Sequence, residues 1–566
     1  MKKIFFKIVI LSFVFMYVSG CSDFLDKEVL GLSTEENFYD TRYKLQAALN
    51  ATYDVLQTGT FMECDWRFGE ATADNVIGGD EGLGSQMGQL VNFRFTTSNA
   101  WIEARYSINY IGIHRANLVI ANAHRVKIAD NEYVTYRAIR EILAQAKFLR
   151  AFFYFNLVKT FGGVPIRPET ETVDNLVIPR STAEEVYAYI EKDLREAAIM
   201  LPAKFIEGNA GKADEGACVS LLMKVIMYQT TPGERSEKWE ELVHIGDFFI
   251  DGKLMTYGEI LKFEQYKEEW EDLRKRLWFK PQELMTKEEM ESIEKPEKLL
   301  PSLNTTYSLE YVNNIGMSLN YGYLGQFYGE GEFCRGSVFE VVFKESADGT
   351  AGDANDGSHV YDDLFVTHLG YCPMHATQAM VNDLFQGDPR YGTIITHQQY
   401  TPDGETIQCG PTRYIPLKWF TPIKERPQYW GDNGKNRRVI RFVEVVLMYA
   451  EALNECNEGA RALEQLNKCK AQANKMGTIT TLYNAGGYGY MRDQIWKERR
   501  IELAYEWDRF FDLVRQKRAA EIIQSFGSTL ISTRGYYFRK GVNEIFPIPQ
   551  REIDISNGVV EQNPGY

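Results

Sequence analysis

Three carboxylates, Glu498, Glu502 and Glu506, recur at intervals of four near the C-terminal end of the chain, with Arg499, Arg500 and Arg509 set among them. Paired carboxylates are the machinery of glycoside hydrolysis. There, however, the two groups flank a bond across a cleft, about 5 to 9.5 Å apart, and one of them has a raised pKa. Carboxylates alternating with arginines along one helix are held ionised and pair with the guanidiniums instead. The motif therefore reads as a set of buried or semi-buried ion pairs, and catalysis is not expected from it.

One cluster combines transition-metal ligand types: His359, His368, Cys372 and His375, with Asp362 and Asp363 nearby. It lacks the tight pair-and-pair spacing of a zinc site, so packed or solvated loop residues are expected. Asp348, Asp353, Asn355 and Asp356 sit among glycines without the order or terminal Glu of an EF-hand, and read as a turn. The sequence contains no Gly-Lys-Ser/Thr phosphate loop, no dinucleotide fingerprint after a strand and no Gly-x-Ser-x-Gly elbow. Neither an enzyme nor a resident metal or cofactor is expected.

The elements that must position these residues form two helical blocks around an irregular region. From Glu35 to Leu56, Arg105 to His124 and Val134 to Lys159, apolar residues recur at three and four, as in Ile142, Ala146, Leu149, Phe153 and Leu157. The third helix is expected to stop at Phe161-Gly162-Gly163-Val164-Pro165. Ser181-Thr182-Ala183-Glu184 has capping-box spacing and opens another helix, through Val186, Ile190, Leu194 and Ala197. Asp214 to Tyr228 and Lys238 to Ile250 make a further pair, and the helical period returns at Val439 to Asn454, Ala460 to Ala473 and, most strongly, Tyr490 to Ala520. Trp101 and Trp496 lie in helical stretches and are expected in the core. Residues 254–438 run from a charged stretch, Lys262 to Lys298, into Gly-, Tyr- and Asn-rich sequence with short apolar runs such as Ser337 to Phe343, which predicts loops, short strands and inserted helices. The proline-rich close, Phe546 to Tyr566, is expected to lie extended. The fold class is mostly α: a helical-repeat scaffold at 21–253 and 439–566 with a loop-rich region, 254–438, and few short strands.

Lys2 and Lys3 precede an apolar run broken by Lys7 and continuing from Ile8 to Val18, the charged and apolar parts of a secretory leader. The run ends in Val18-Ser19-Gly20-Cys21, which resembles a bacterial lipoprotein box. Residues 1–20 are thus expected to be a lipoprotein signal peptide and Cys21 the lipidated residue; several acyl chains on one residue anchor stably. The remaining cysteines, 64, 218, 334, 372, 409, 456 and 469, are odd in number and lack a CxxC pair, so no disulfide framework is indicated. Cys218 and Cys456 fall in apolar helical stretches and read as small buried hydrophobes. With 78 acidic against 63 basic side chains, the chain lacks the positive excess that nucleic-acid binding draws on.

Several stretches, in order, resemble the SusD/RagB family of outer-membrane lipoproteins from glycan-uptake systems of Bacteroidetes-type bacteria. They are Cys21-Ser22-Asp23-Phe24-Leu25-Asp26, His114-Arg115-Ala116-Asn117, Phe148 to Leu157 closing in Phe161-Gly162-Gly163-Val164-Pro165, Asp388-Pro389-Arg390 and Met448-Tyr449-Ala450-Glu451-Ala452. The most specific is Glu498-Arg499-Arg500-Ile501-Glu502-Leu503-Ala504-Tyr505-Glu506 with Arg509 to Arg515, followed by Phe546-Pro547-Ile548-Pro549 and Gln562-Asn563-Pro564-Gly565-Tyr566. The resemblance implies a single SusD-like domain, residues 21–566, in which TPR-like helix pairs support an irregular ligand-binding face. It also implies a role as the lid of a SusC-like TonB-dependent transporter. The charged stretch Lys262 to Lys298 does not align with the pattern.

What remains for such a chain is recognition. Sugar rings present C–H faces that pack on aromatic rings and hydroxyls that need paired polar partners. Aromatic residues make up 13% of the chain, so the question is which of them stand on loops. Three stretches qualify: Asp65-Trp66-Arg67 with Asp74-Asn75 and the Gly-rich stretch Gly78 to Asn99, then Tyr321 to Tyr328, then Trp419 with Tyr429 to Asn433. The candidate ligand-binding residues are Trp66, Asp74, Asn75, Tyr323, Tyr328, Trp419 and Trp430. The expected function is a lipid-anchored protein on the outside of the outer membrane that captures oligosaccharides or polysaccharides and passes them, uncleaved, to its transporter. A peptide-binding lid and an envelope scaffold without a small ligand are the alternatives.

Overall fold

Helices form where the three-and-four apolar period is sustained and a hydroxyl or carboxyl closes the first turn. The computed structural model describes residues 38–78, 84–126, 133–205, 210–262, 297–313, 315–345, 374–385, 388–391, 395–396, 414–426, 433–475, 481–527 and 532–566. The leader, Cys21, Trp430 and most of the charged stretch lie outside them. Helix α1 (Arg42–Gln57) is capped by Thr41 and α2 (Gly59–Trp66) by Thr58. There follow α3 (Ala100–Asn122), α4 (Tyr133–Phe161), α5 (Ala183–Ala198), α6 (Glu215–Met227) and α7 (Glu237–Phe249). From α3 to α7 each helix packs on its chain neighbour, which is how an amphipathic stripe is buried in a helix-pair scaffold. Helix α6, apolar around most of its circumference, is buried along its whole length.

Among the described residues there are also three two-stranded antiparallel sheets and, in the intervening region, a short helix, α8 (Gln378–Phe385). Strand β1 (Val76–Gly78) pairs with β3 (Met374–Ala376), β2 (Ser337–Val341) with β6 (Arg437–Arg441), and β4 (Ile395–Thr396) with β5 (Ile415–Pro416). The second block, α9 (Phe442–Glu455), α10 (Gly459–Asn474) and α11 (Tyr488–Glu502), docks on the first through α9, which packs against α6 and α7. That contact is tight enough to need glycine: a Cβ on Gly246 of α7 would lie 2.1 Å from the Tyr449 ring. Buried apolar residues from both blocks and the region between them form one contiguous cluster.

Helices α1 and α3 begin at Arg42 and Ala100 rather than at Glu35 and Arg105, and four further boundaries differ from the sequence expectation. The capping box of α5 is Thr182 with Glu185, one residue later than expected. Ser181 instead donates its N–H to the Val164 carbonyl at 3.1 Å, which holds it outside the helix. The stretch from Val439 opens as strand, because β6 pairs with β2 before α9 begins. Gln550–Ile555 is helical, since the helix starts after Pro549 rather than through it. Most consequentially, the expected helix from Tyr490 to Ala520 is three: α11, α12 (Arg509–Arg515) and α13 (Ala519–Ser525). At the break Tyr505 and Trp507 have φ of 66° and 74°, a left-handed conformation rare for aromatic residues.

Candidate functional site

The break after α11 is held by residues far away in sequence. Glu70, fully buried, accepts the N–H groups of Tyr505 at 3.2 Å and Trp507 at 3.3 Å, together with the Asn75 side-chain amide at 2.9 Å. Gly69 lets the turn come close, for a Cβ there would lie 1.6 Å from the Trp507 carbonyl oxygen. Burial pushes the Glu70 carboxyl up to about 7, against the hydrogen bonds from Asn75, Tyr505 and Trp507.

Around this turn the Glu498–Glu506 motif sits in a buried ionic network. Arg390 donates to Glu498 at 2.8 Å, Glu502 at 2.6 Å and Asp388 at 2.8 Å. Arg441 reaches Glu502 at 2.9 Å and Glu506 at 2.6 Å, and Lys418 reaches Glu506 at 2.6 Å. Arg499 pairs with Glu444 and Asp512, both at 2.7 Å. Burial alone would raise the Glu506 carboxyl, but Arg441 and Lys418 outweigh it and hold it below the usual range. A carboxylate locked ionised between two cations cannot serve as a proton donor. The expectation of ion pairs rather than catalysis describes this network.

The seven candidate ligand-binding residues fare differently. Six of them, Trp66, Asp74, Asn75, Tyr323, Tyr328 and Trp419, are between 0% and 6% exposed, which corrects the expectation that they stand on open loops. The polar tips of Asp74, Asn75, Tyr323 and Trp419 meet protein partners, which is what allows such side chains to be buried. The Trp419 indole donates to the Tyr505 carbonyl at 2.8 Å, and its ring stacks on Trp507 at 4.7 Å and 16°. The Tyr323 hydroxyl reaches the Glu502 carbonyl at 3.4 Å, and the Tyr328 carbonyl accepts from Arg438 at 2.7 Å. Asp74 binds Arg509 at 2.7 Å and Arg500 at 2.8 Å, and Asn75 accepts from Arg500 at 3.0 Å. Trp66 is covered by the Arg67 guanidinium, 4.7 Å from its ring centroid. Described residues of the three stretches, Asp74 with Asn75, Tyr323, and Trp419, converge as supports on the end of α11, the turn after it and the start of α12. Trp101 is only partly buried, beneath Arg67, whereas Trp496 is 6% exposed as expected of the core.

A solvent-facing rim lies above the second and third stretches. Half-buried Tyr321 carries the Lys424 ammonium 4.7 Å from its ring centroid. Glu330 accepts from the Asn320 side chain at 2.7 Å and the Tyr321 N–H at 2.7 Å, and Glu425 accepts the Gly329 N–H at 2.9 Å. The chain leaves for residues 427–432 at Arg426 and returns at Asn433, and both ends are tied to Thr421, at 3.2 Å and 3.0 Å. Nothing in the sequence pattern separated Tyr321 from its buried neighbours Tyr323 and Tyr328. Of the metal-ligand cluster, only His375 falls within the described residues; it is buried on β3, and burial lowers its pKa. Among the described residues no group of three or more candidate ligands is assembled for a metal, and Cys64, Cys218, Cys334, Cys456 and Cys469 are free thiols.

Comparison with known proteins gives matches along the whole chain. Residues 23–227 match a family model described as starch-binding associating with outer membrane, and residues 394–566 match the SusD family. SusD-like protein P2 of Formosa agariphila is 26% identical, over 100% of this chain and 99% of its own length. A SusD-like protein of Bacteroides ovatus is 23% identical over 90% of this chain and 82% of its own. Among solved structures, a laminarin-binding SusD-like protein superposes with a TM-score of 0.67 at 24% identity, covering 93% of this chain and all of its own. Surface glycan-binding protein A of Bacteroides thetaiotaomicron, in complex with laminarihexaose, gives 0.63 at 20% identity, covering 92% and 99%.

Proposed function

The chain belongs to the SusD/RagB family of binding proteins, not enzymes, and from that premise we propose that it captures oligosaccharides at the cell surface and hands them to a SusC-like TonB-dependent transporter as its lid. The observation that carries the reading is the end-to-end likeness to structures of glycan-binding relatives, two of which bind laminarin or its hexasaccharide. Acylation of Cys21 would tether it to the outer membrane with the rim facing outward. The buried network holds the rim in place, and ligand contact falls to Tyr321, its polar neighbours and the segment that carries Trp430. Titration with a panel of polysaccharides, laminarin first, should find a ligand whose reducing ends do not increase, and Trp430→Ala should weaken that binding. Hydrolysis, or binding of peptides and no glycan, overturns the reading. In cells, Cys21→Ala should move the protein out of the membrane fraction.

A further inference from the structure

A cleft of about 580 Å³ opens beside α11 and the turn between α12 and α13, a volume within the range of small-ligand sites. Six cationic side chains line it against three carboxylates, in a chain whose formal net charge is −15. These cations are of two kinds. Arg500 and Arg509 are neutralised from behind by Asp74, and Arg500 also by Asp383 at 2.5 Å. Arg492 and Arg518 form no ion pair among the described residues; their guanidiniums instead lie 5.0 and 5.3 Å from the Trp496 ring centroid. That ring is fixed by its N–H, which donates to Glu451 at 3.0 Å, so both guanidiniums lean on a rigid support. Gln516 also lines the cleft. It is 4% exposed, and among the described residues neither its Oε1 nor its Nε2 has a hydrogen-bond partner. A buried amide with both ends unmet is costly unless something from outside completes it.

We propose that this cleft binds an oxyanion carried on a sugar, a uronate carboxylate or a sulfate ester, with Arg492 and Arg518 taking the oxyanion and Gln516 a neighbouring hydroxyl. Guanidinium forks match the geometry of such oxyanions, and an amide offers the donor and acceptor that a hydroxyl needs. The sugar part of the assignment rests on the proposed glycan-binding function; the oxyanion part rests on the cleft alone.

The test titrates the full chain with a galacturonate oligomer, a sulfated disaccharide, a neutral oligomer of matching length and inorganic sulfate. Both charged sugars should bind, and more weakly as salt is raised. Arg492→Gln and Arg518→Gln should each lower that affinity about tenfold without moving the titration by a neutral ligand. Gln516→Met should weaken the sugars and leave sulfate alone. Arg492 and Arg518 are both half-buried and sit on different elements, so either variant keeps the test open if the other does not fold. Charged binding that survives both arginine substitutions overturns the site, as does equal affinity for charged and neutral oligomers. Neutral binding alone overturns the site while glycan capture stands. Sulfate binding alone, lost in both variants, overturns the sugar assignment together with the glycan-binding function.

Discussion

The two ends of α11 hold the same residue types in opposite circumstances. Arg492, Trp496 and Arg499 share one stripe, four and three residues apart. Arg499, 1% exposed, is clamped by Glu444 and Asp512, whereas Arg492, half-buried, has an aromatic ring beneath it and the Tyr488 hydroxyl at 3.4 Å. Depth separates a structural arginine from one with unused binding capacity. In the interior a guanidinium persists only with its charge matched, while at the cleft wall water and ligands can complete it. The aromatic residues divide the same way: Trp419 and Trp507 stack on each other in the core, while Tyr321 keeps part of its surface to solvent.

Several substitutions would break or sharpen this contrast. The largest effect is expected from Arg390→Met, which strands Asp388, Glu498 and Glu502 as buried carboxylates around a missing cation. Removing one partner of a buried network costs roughly 3–5 kcal/mol, measurable by denaturant unfolding. A loss below about 1 kcal/mol would place the network with exposed pairs instead. Next comes Gly69→Ala, whose Cβ would meet the Trp507 carbonyl, a backbone atom that cannot swing aside. A loss of about 1–3 kcal/mol is expected, with Glu70 pulled from the turn.

Glu70 and Asp74, four residues apart, give the contrast a pH dependence. Burial would raise Asp74 as it raises Glu70, but Arg509 and Arg500 outweigh it and hold the Asp74 carboxyl well below the usual range. Glu70 forms no ion pair among the described residues; its N–H donors and the Arg509 charge do not offset its burial, and its value rises from 4.5 to about 7. Between those two pH values the native state binds more protons than the unfolded chain, so the Glu70 contribution is full below pH 4.5 and fades as pH climbs through about 7. Stability of the wild type minus that of Glu70→Gln should therefore decline over this window. A flat difference would show Glu70 ionised throughout. The smallest stability effect is expected at the rim, where Tyr321→Ala should stay within about 0.5 kcal/mol of the wild type while weakening glycan binding. Unchanged binding would move the ligand site away from Tyr321.

Much of the scaffold was legible from local pattern. The apolar period located α1 and α3 to α7 because burying one face of a helix imposes a spacing that survives in the sequence. The ion-pair character of Glu498, Glu502 and Glu506 was legible too, since arginines among carboxylates on one helix have few other uses. The break at Tyr505 and Trp507 was not, for nothing local forbids helix there. Its cause is Glu70 and Gly69, more than 430 residues earlier, which supply the partners for two N–H groups that a continuing helix would have used.

Burial of the candidate ligand-binding residues was hidden from local pattern for the same physical cause. Tyr323, Tyr328 and Trp419 occur in sequence that has every composition mark of exposed loop, and a list of residue types does not record whether a hydroxyl or indole meets water or a carbonyl. By itself the sequence determined the helix stripes, the apolar run that ends before Cys21, the charge balance and the motifs shared with a family, because each of these is a matter of residue type and near spacing. Which aromatics are support and which are rim, and which arginines are spent and which remain available, was decided by the tertiary structure alone, since partners such as Trp419 and Tyr505 or Asp74 and Arg509 lie scores to hundreds of residues apart and meet only on folding.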